Sequence, residues 1–239
     1  MIELIKLMQE RHSSRVPFDT KHTIERQDLL QILEAGRWAP SAHNMQNFEI
    51  IVVDDEKILK SIAMIKRPIS ETFIRENYQQ LSFSEEELLG KKTGILAAMF
   101  PPAWRVPDFS LDKYNEEADS SLQRPFPTCP LMLIVIYDPS KRAPASEGDF
   151  LGILSLGCVM ENMWLMANSL GIGFHILSSL SADTIEEEVK NILHIPENLK
   201  IAFSCRLGYP VSTKEKYLRV RRDIKDFTNL NKFGNKSFE

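Results

Sequence analysis

The chain has 239 residues, 43% hydrophobic and 26% charged, with 29 Lys and Arg against 33 Asp and Glu for a formal net charge of −4. That length is ample for a core and fits one large domain or two small ones, and the composition is that of an ordinary globular protein. The mild acidity leaves no electrostatic footprint for nucleic acid.

The amino terminus, Met1-Ile-Glu-Leu-Ile-Lys6, lacks a signal-peptide pattern, so a cytoplasmic protein is expected. Met1, Leu4, Ile5 and Met8 keep helical spacing and predict a short amphipathic helix. It runs into Arg11-His12-Ser13-Ser14-Arg15. Guanidinium forks and hydroxyls in such density suit a phosphate monoester. On these residues alone a solvated, charged helix end is the favoured reading.

A second helix follows, with Thr23 as a candidate cap and Leu29, Ile32, Leu33 and Gly36 on one face; Pro40 closes it. Then comes Ala39-Pro40-Ser41-Ala42-His43-Asn44-Met45-Gln46-Asn47-Phe48, directly before a strand at Glu49–Val53. Its amides and exposed backbone groups could address the polar edge of a planar ring. The plainer reading, favoured for this stretch alone, is a loop whose Ser and Asn side chains satisfy its own backbone.

Asp55 to Ala63 reads as a short helix, and Ile69 to Leu89 as mostly helical, with Glu85-Glu86-Glu87 on a solvated face. The aromatic, proline-rich stretch Phe100–Pro107 reads as a lid or a surface loop. Leu131–Tyr137 is a continuous apolar run, predicting a strand buried on both faces. Asp149 to Gly173 is apolar on nearly every side, with Glu161 and Asn162 at its middle. A helix apolar all round is buried. It is long enough to cross a membrane, yet a central carboxylate there would cost a few kcal/mol, so a core or subunit-interface helix is expected. Phe174–Leu177 reads as a short strand leading to Ser178-Ser179. A helix capped by Ser181 or Asp183 runs to Leu193, and Ile201–Leu207 is another buried strand. Beyond Gly208-Tyr209-Pro210 lies a basic cluster, Lys214, Lys216, Arg219, Arg221 and Arg222. Strands interleaved with helices predict a sheet covered on both faces.

Several familiar motifs are excluded. The five histidines form no metal-binding spacing, so no metal site is expected. Gly152-Ile-Leu-Ser155-Leu-Gly157 has one residue too many for a hydrolase elbow and falls inside the long helix. Gly171-Ile-Gly173 lacks the third glycine of a dinucleotide fingerprint. Cys129, Cys158 and Cys205 read as free thiols in apolar surroundings.

Four stretches taken together resemble the FMN-dependent nitroreductase family. They are Arg11–Arg15 after an opening helix, Ala39–Gln46 before the first strand, the long helix ending Ser169-Leu-Gly-Ile-Gly173, and Leu207-Gly-Tyr-Pro210 with basic residues beyond. The resemblance implies one α/β (α+β) domain over residues 1–239, a three-layer sandwich with a mixed central sheet between helical layers, and a longer excursion at about 64–127. It implies a homodimer with FMN at the interface, in which the long helix meets the partner.

Carried over residue by residue, Arg11, Ser13 and Arg15 would bind the FMN phosphate and polar ring edge, with His12 contributing backbone or packing. Pro40, Ser41, Ala42 and Asn44 would approach the flavin from the other subunit, supported by Gln46. Leu177, Ser178 and Ser179 would bring a backbone amide to the flavin N5. Arg219 and Arg221 would reach the phosphate, with Arg222 as the alternative register for Arg221. Glycine is frequent where Ser178-Ser179 stand, and Pro-Trp where Asn47-Phe48 stand. No catalytic side chain is implied, because the flavin carries the chemistry. The expected activity is NAD(P)H-dependent reduction of nitroaromatic or quinone-type small molecules by a ping-pong hydride mechanism, with neither a nucleic acid nor a membrane as partner. Two alternatives stand beside it: another flavin reaction on the same fold, such as dehalogenation, enoate reduction or flavin breakdown, and a non-enzymatic flavin-binding module. Preference between NADH and NADPH is not encoded in any recognisable motif.

Overall fold

The computed structural model describes residues 2–65, 75–97, 129–144, 148–211 and 218–236. The Phe100–Pro107 stretch, much of the 64–127 excursion, and Lys214 and Lys216 lie outside these residues. The chain divides into two compact units, residues 1–67 with 124–215, and residues 68–123 with 216–239.

The first unit opens with α1 (Ile2–Glu10) and α2 (Arg26–Arg37), followed by a 3-10 turn at Ala42–Asn44, β1 (Glu49–Val53) and α3 (Glu56–Ala63). The second unit contributes a π-helical stretch at Arg75–Gln80, β2 (Ser82–Phe83), α4 (Glu85–Lys91) and β3 (Ile95–Leu96). The first unit resumes with β4 (Leu131–Tyr137), α5 (Phe150–Ser169), β5 (Gly173–Ile176), a 3-10 turn at Ser178–Ser181, α6 (Asp183–Leu193) and β6 (Lys200–Gly208). A short α7 (Ile224–Phe227) returns to the second unit.

The four-stranded sheet has the order β1-β4-β6-β5. Its central strands are the two apolar runs, as expected of strands covered on both sides. Alternate residues of β4 feed two cores. Met132, Ile134 and Ile136 pack with Ile62, Leu180, Ile185 and Val189, under α3 and α6. Leu131, Leu133 and Val135 pack with Ile32, Val159, Met163 and Phe174, under α2 and α5. Period-two alternation thus places one strand between two helical layers. A register shift between Val135 and Ile136 skips Ala202. It turns Ile201 towards the α3/α6 core while Phe203, Cys205 and Leu207 face α5. At this irregularity the buried Glu186 carboxylate accepts the Ile201 N–H at 2.6 Å, joining α6 to the sheet.

The layered sandwich matches the expected fold class. The mixed strand directions are not found in this sheet, whose three pairings are all antiparallel. Among the described strands the parallel pairing is β2 with β3, in the second unit. Strand direction is set by the end to which each connection returns, which apolar patterning does not encode.

Helix α5 buries Leu156, Val159, Met163, Trp164 and Ala167, one stripe at helical spacing. The two polar residues at its middle are both engaged. Asn162 Nδ2 donates to the carbonyl of Ala35 in α2, and Glu161 pairs with Arg11. Gly36 lets α2 approach, since a Cβ there would meet Met163 Cγ at 3.0 Å. The helix stops at Gly171, which takes φ +71°. Ile172 N–H donates to Ala167 O and Gly171 N–H to Asn168 O, the paired bonds of a Schellman cap.

The expected caps are partly replaced. Asp149 stands at the N-cap of α5 but its side chain makes no cap bond. Glu25, not Thr23, precedes α2, and Ala182 precedes α6. The Ser181 hydroxyl instead donates to Ser178 O within the preceding 3-10 turn. Asp55 does cap α3, accepting from Lys57 and Ile58 amides.

In the second unit, Ser84 and Glu87 close a capping box on α4, so Glu87 of the acidic run has a structural role. Lys92 pairs with Asp223, and each holds the other's charged form: the lysine is raised and the carboxyl lowered from its ordinary range.

Candidate functional site

The Arg11–Arg15 segment leaves α1 and is stitched to the interior through its backbone. Trp164 Nε1 of α5 donates to His12 O at 3.0 Å, and Ser14 N–H donates to Phe174 O at 3.0 Å. Trp164 stacks on Phe174 with ring centroids 5.5 Å apart, which fixes the indole. The Arg11 guanidinium lies over the same indole, 4.4 Å from its centroid. Its Nε approaches Glu161 Oε1 at 3.0 Å as an ion pair, without an aligned hydrogen bond, and that nitrogen is buried. Ser14 is buried, whereas Ser13 is half-buried and Arg15 exposed.

Behind this segment lies a residue the sequence reading missed. Arg206, on β6, is fully buried. Antiparallel register sets it directly opposite His175 on β5, and its Nε donates to His175 Nδ1 at 2.9 Å. One terminal nitrogen donates to Ser14 O at 3.1 Å and to Val16 O at 2.8 Å. Phe18 covers the guanidinium at 4.2 Å. The ring of Phe18 also lies on Gly173 and Gly208, which are paired across β5 and β6. A Cβ at Gly173 would come within 2.6 Å of that ring, so the glycine of the false dinucleotide motif exists for packing. Burial, then the Arg206 and Arg15 charges, push the His175 imidazole down to about 3. Because arginine only donates, Nδ1 must be the acceptor, and the neutral ring carries its proton on Nε2. An arginine inside an otherwise apolar strand was the signal available in sequence.

The Pro40–Gln46 loop is built differently. His43, Asn44 and Gln46 all take positive φ, at 51°, 52° and 46°. Asn tolerates that region better than most residues, but three such positions in one loop store strain. The loop holds itself: Gln46 N–H donates to Ser41 Oγ and Gln46 Nε2 to Asn44 Oδ1. Its tie to the core is Ala42 N–H donating to Ser155 Oγ at 2.9 Å, the serine in turn donating to Leu151 O. Ser155, rejected as a nucleophile, is therefore a loop anchor. Pro40, Ser41, Asn44 and Gln46 line a depression of about 430 Å³ with Arg37 and Trp38.

Leu177 is buried at the end of β5, donating to Ser204 O while its carbonyl accepts the Ser204 hydroxyl. Ser178 is exposed and Ser179 half-buried, at the start of the 3-10 turn. Within one chain, the structure lays Arg11–Arg15 against β5 at Phe174 and, through Arg206, at His175. It does not bring Pro40–Gln46 to them. Ser155 and Trp164 are nine residues apart, which is roughly 13 Å along α5 and half a turn around it. Arg219 and Arg221 belong to the second unit, where both are exposed and Arg221 donates to its neighbour Val220 O.

A model of the Nitroreductase family matches residues 8–209. The chain belongs to this family. A protein of Archaeoglobus fulgidus that carries the name NADH dehydrogenase/NAD(P)H nitroreductase is 24% identical over 217 residues, 91% of each chain. An NADPH-dependent oxidoreductase of Staphylococcus haemolyticus is 26% identical over 209 residues, covering 85% of this chain and 63% of its own length. Among solved structures, a nitroreductase with bound FMN from Desulfitobacterium hafniense has a TM-score of 0.58 at 23% identity, covering 96% of this chain and 99% of its own. Another with bound FMN, from Bacteroides fragilis, has a TM-score of 0.54 at 22% identity, covering 90% and 94%. At these identities the structures establish a shared nitroreductase fold.

Proposed function

We propose that this nitroreductase-family protein is an FMN-dependent NAD(P)H oxidoreductase that works as a homodimer and passes hydride equivalents to nitroaromatic or quinone-type acceptors in ping-pong order. The observation that carries the dimeric site is that the two loops anchor nine residues apart on α5, Pro40–Gln46 at Ser155 and Arg11–Arg15 at Trp164, roughly 13 Å along the helix. A second copy packed on α5 can bring its Pro40–Gln46 loop to the first copy's Arg11–Arg15 segment. Helix α5 has the surface for this. Phe150, Ile153 and Leu154 are 66%, 53% and 50% exposed on a helix that buries one stripe against the core. An apolar face left open on a core helix suits an obligate interface.

The residues present fit FMN. The first loop offers two guanidinium groups and a hydroxyl, and the buried Arg11 Nε has no aligned acceptor among the described residues. A phosphate supplies acceptors for such a fork. On this reading Arg11, Ser13 and Arg15 hold the phosphate and polar ring edge, and His12 contributes its backbone. Pro40, Ser41, Ala42 and Asn44 of the partner close over the ring, with Gln46 bracing Asn44. Leu177, Ser178 and Ser179 offer a backbone donor towards the ring, and Arg219 and Arg221 are the late basic pair assigned to the phosphate. When bound, FMN supplies the hydride chemistry between NAD(P)H and acceptor. The protein binds, orients and shields; no side chain is required as acid, base or nucleophile. The family domain then spans residues 1–239, the protein acts in the cytoplasm, and neither a membrane nor a nucleic acid takes part.

The absorbance spectrum of the purified protein, before and after anaerobic NADPH, tests the reading. A flavin band that bleaches supports it. Colourless protein that takes up no added FMN overturns it. Bound flavin that bleaches with neither NADH nor NADPH leaves a binding module instead. Initial-rate lines that converge rather than stay parallel refute the shared-site, ping-pong order.

A further inference from the structure

Resting on the FMN reading above, we propose that Arg206 and His175 are positioning residues that preorganise the Arg11–Arg15 loop for the flavin phosphate. Neither belongs to the residues assigned to cofactor contact. One fully buried guanidinium gathers three acceptors from two chain segments: His175 Nδ1 on β5, and the carbonyls of Ser14 and Val16 in the loop. The rigid fork geometry of arginine makes this a template for backbone shape. Phe18 covers one face of the guanidinium, and the side chain is fully buried, so water does not replace these acceptors at low cost.

The arrangement has a direct consequence for binding. Two bonds to alternate carbonyls, at Ser14 and Val16, set the backbone course on either side of Arg15. Trp164 fixes the backbone at His12, one residue before Ser13. Two of the three intended donors, Ser13 and Arg15, are thereby held between clamped backbone positions. A loop that enters binding already ordered avoids the ordering cost otherwise taken from affinity. His175 completes the clamp by offering a neutral acceptor. In that state it adds no second positive charge beside Arg206.

The experiment is a fluorescence titration of flavin-stripped protein with FMN and, separately, with riboflavin, which lacks the phosphate. Unmodified protein should prefer FMN clearly. In Arg206→Met the FMN Kd should rise about 30-fold, as for loss of charge-assisted bonds, while the riboflavin Kd changes less than about threefold. Arg206→Lys, which keeps the charge but not the fork, should recover only part of the loss. His175→Leu should weaken FMN binding by about fivefold and leave riboflavin alone. If Arg206→Met does not fold, the Arg206→Lys and His175→Leu titrations decide. FMN preference retained in full by the folded variants overturns the positioning role alone. Equal losses for FMN and riboflavin indicate a general structural role and also overturn it. Failure of unmodified protein to bind FMN overturns the functional reading and this inference with it.

Discussion

The two loops proposed to meet at the flavin are held in opposite ways. Arg11–Arg15 is gripped from beneath: Trp164, Phe174 and Arg206 each bond to its backbone, and all three side chains are in the core. Pro40–Gln46 is gripped from within, by Ser41 and Asn44, and touches α5 through Ser155. It also carries three non-glycine residues at positive φ. The first loop inherits the rigidity of the sheet. The second stores strain that a neighbouring surface can hold in place. A cofactor's phosphate needs fixed donors, whereas a wall that admits two successive substrates benefits from adjustability. The contrast therefore fits the proposed division of labour between the subunits.

The comparison can be broken at several points. The largest effect is expected at Gly208, beneath the first loop. An added Cβ would lie 2.7 Å from Phe18 Cβ and 2.8 Å from Pro130 Cδ. Gly208→Val should cost about 3 kcal/mol in urea unfolding, through overpacking of rigid neighbours. Acid comes next. The folded His175 is held at about 3, below its ordinary value of 6.5, so the unfolded chain binds more protons between those values. Stability is then fully present above pH 6.5 and declines as pH falls towards 3. About 2 kcal/mol should be lost from this group between pH 7 and pH 5. In His175→Gln that part of the pH slope should disappear, as read from urea midpoints at the two pH values.

Two single-bond deletions compare the anchors directly. Trp164→Phe removes the bond to His12 O and should cost about 1.5 kcal/mol, with weaker FMN binding in the same titration. Ser155→Ala frees the Ala42 amide and should cost about 1 kcal/mol, without altering the FMN-to-riboflavin preference. The smallest effect should have the opposite sign. His43→Gly relieves about 1 kcal/mol of backbone strain and adds about 0.5 kcal/mol of chain entropy. A net gain of about 0.5 kcal/mol should appear as a slightly higher thermal midpoint.

Much of this was legible in the chain itself. The apolar run Leu131–Tyr137 announced a strand covered on both faces, and the apolar stretch from Asp149 announced a long helix, of which the single chain buries one stripe. Gly171 announced where that helix stops. Motif order along the chain carried the family, whose model matches residues 8–209. On the Arg11–Arg15 residues alone a solvated helix end is the favoured reading, and the family resemblance is what assigns Arg11, Ser13 and Arg15 to a phosphate. These features are local: each depends on residue type and periodicity over a few turns or one strand.

What tertiary structure decided was partnership. That Arg206 faces His175 depends on cross-strand register, and that its guanidinium reaches Ser14 depends on where a segment 192 residues away is laid. Glu161 and Asn162 looked like flaws in an apolar helix until Arg11 and Ala35 were brought beside them. Ser155, Gly173 and Gly208 acquired their roles only from the loop and ring packed upon them. The antiparallel course of the sheet followed from the return path of each connection. Local sequence sets dihedral preference and amphipathic pattern, but pairing between distant segments is a collective outcome of packing and of satisfying every buried polar group.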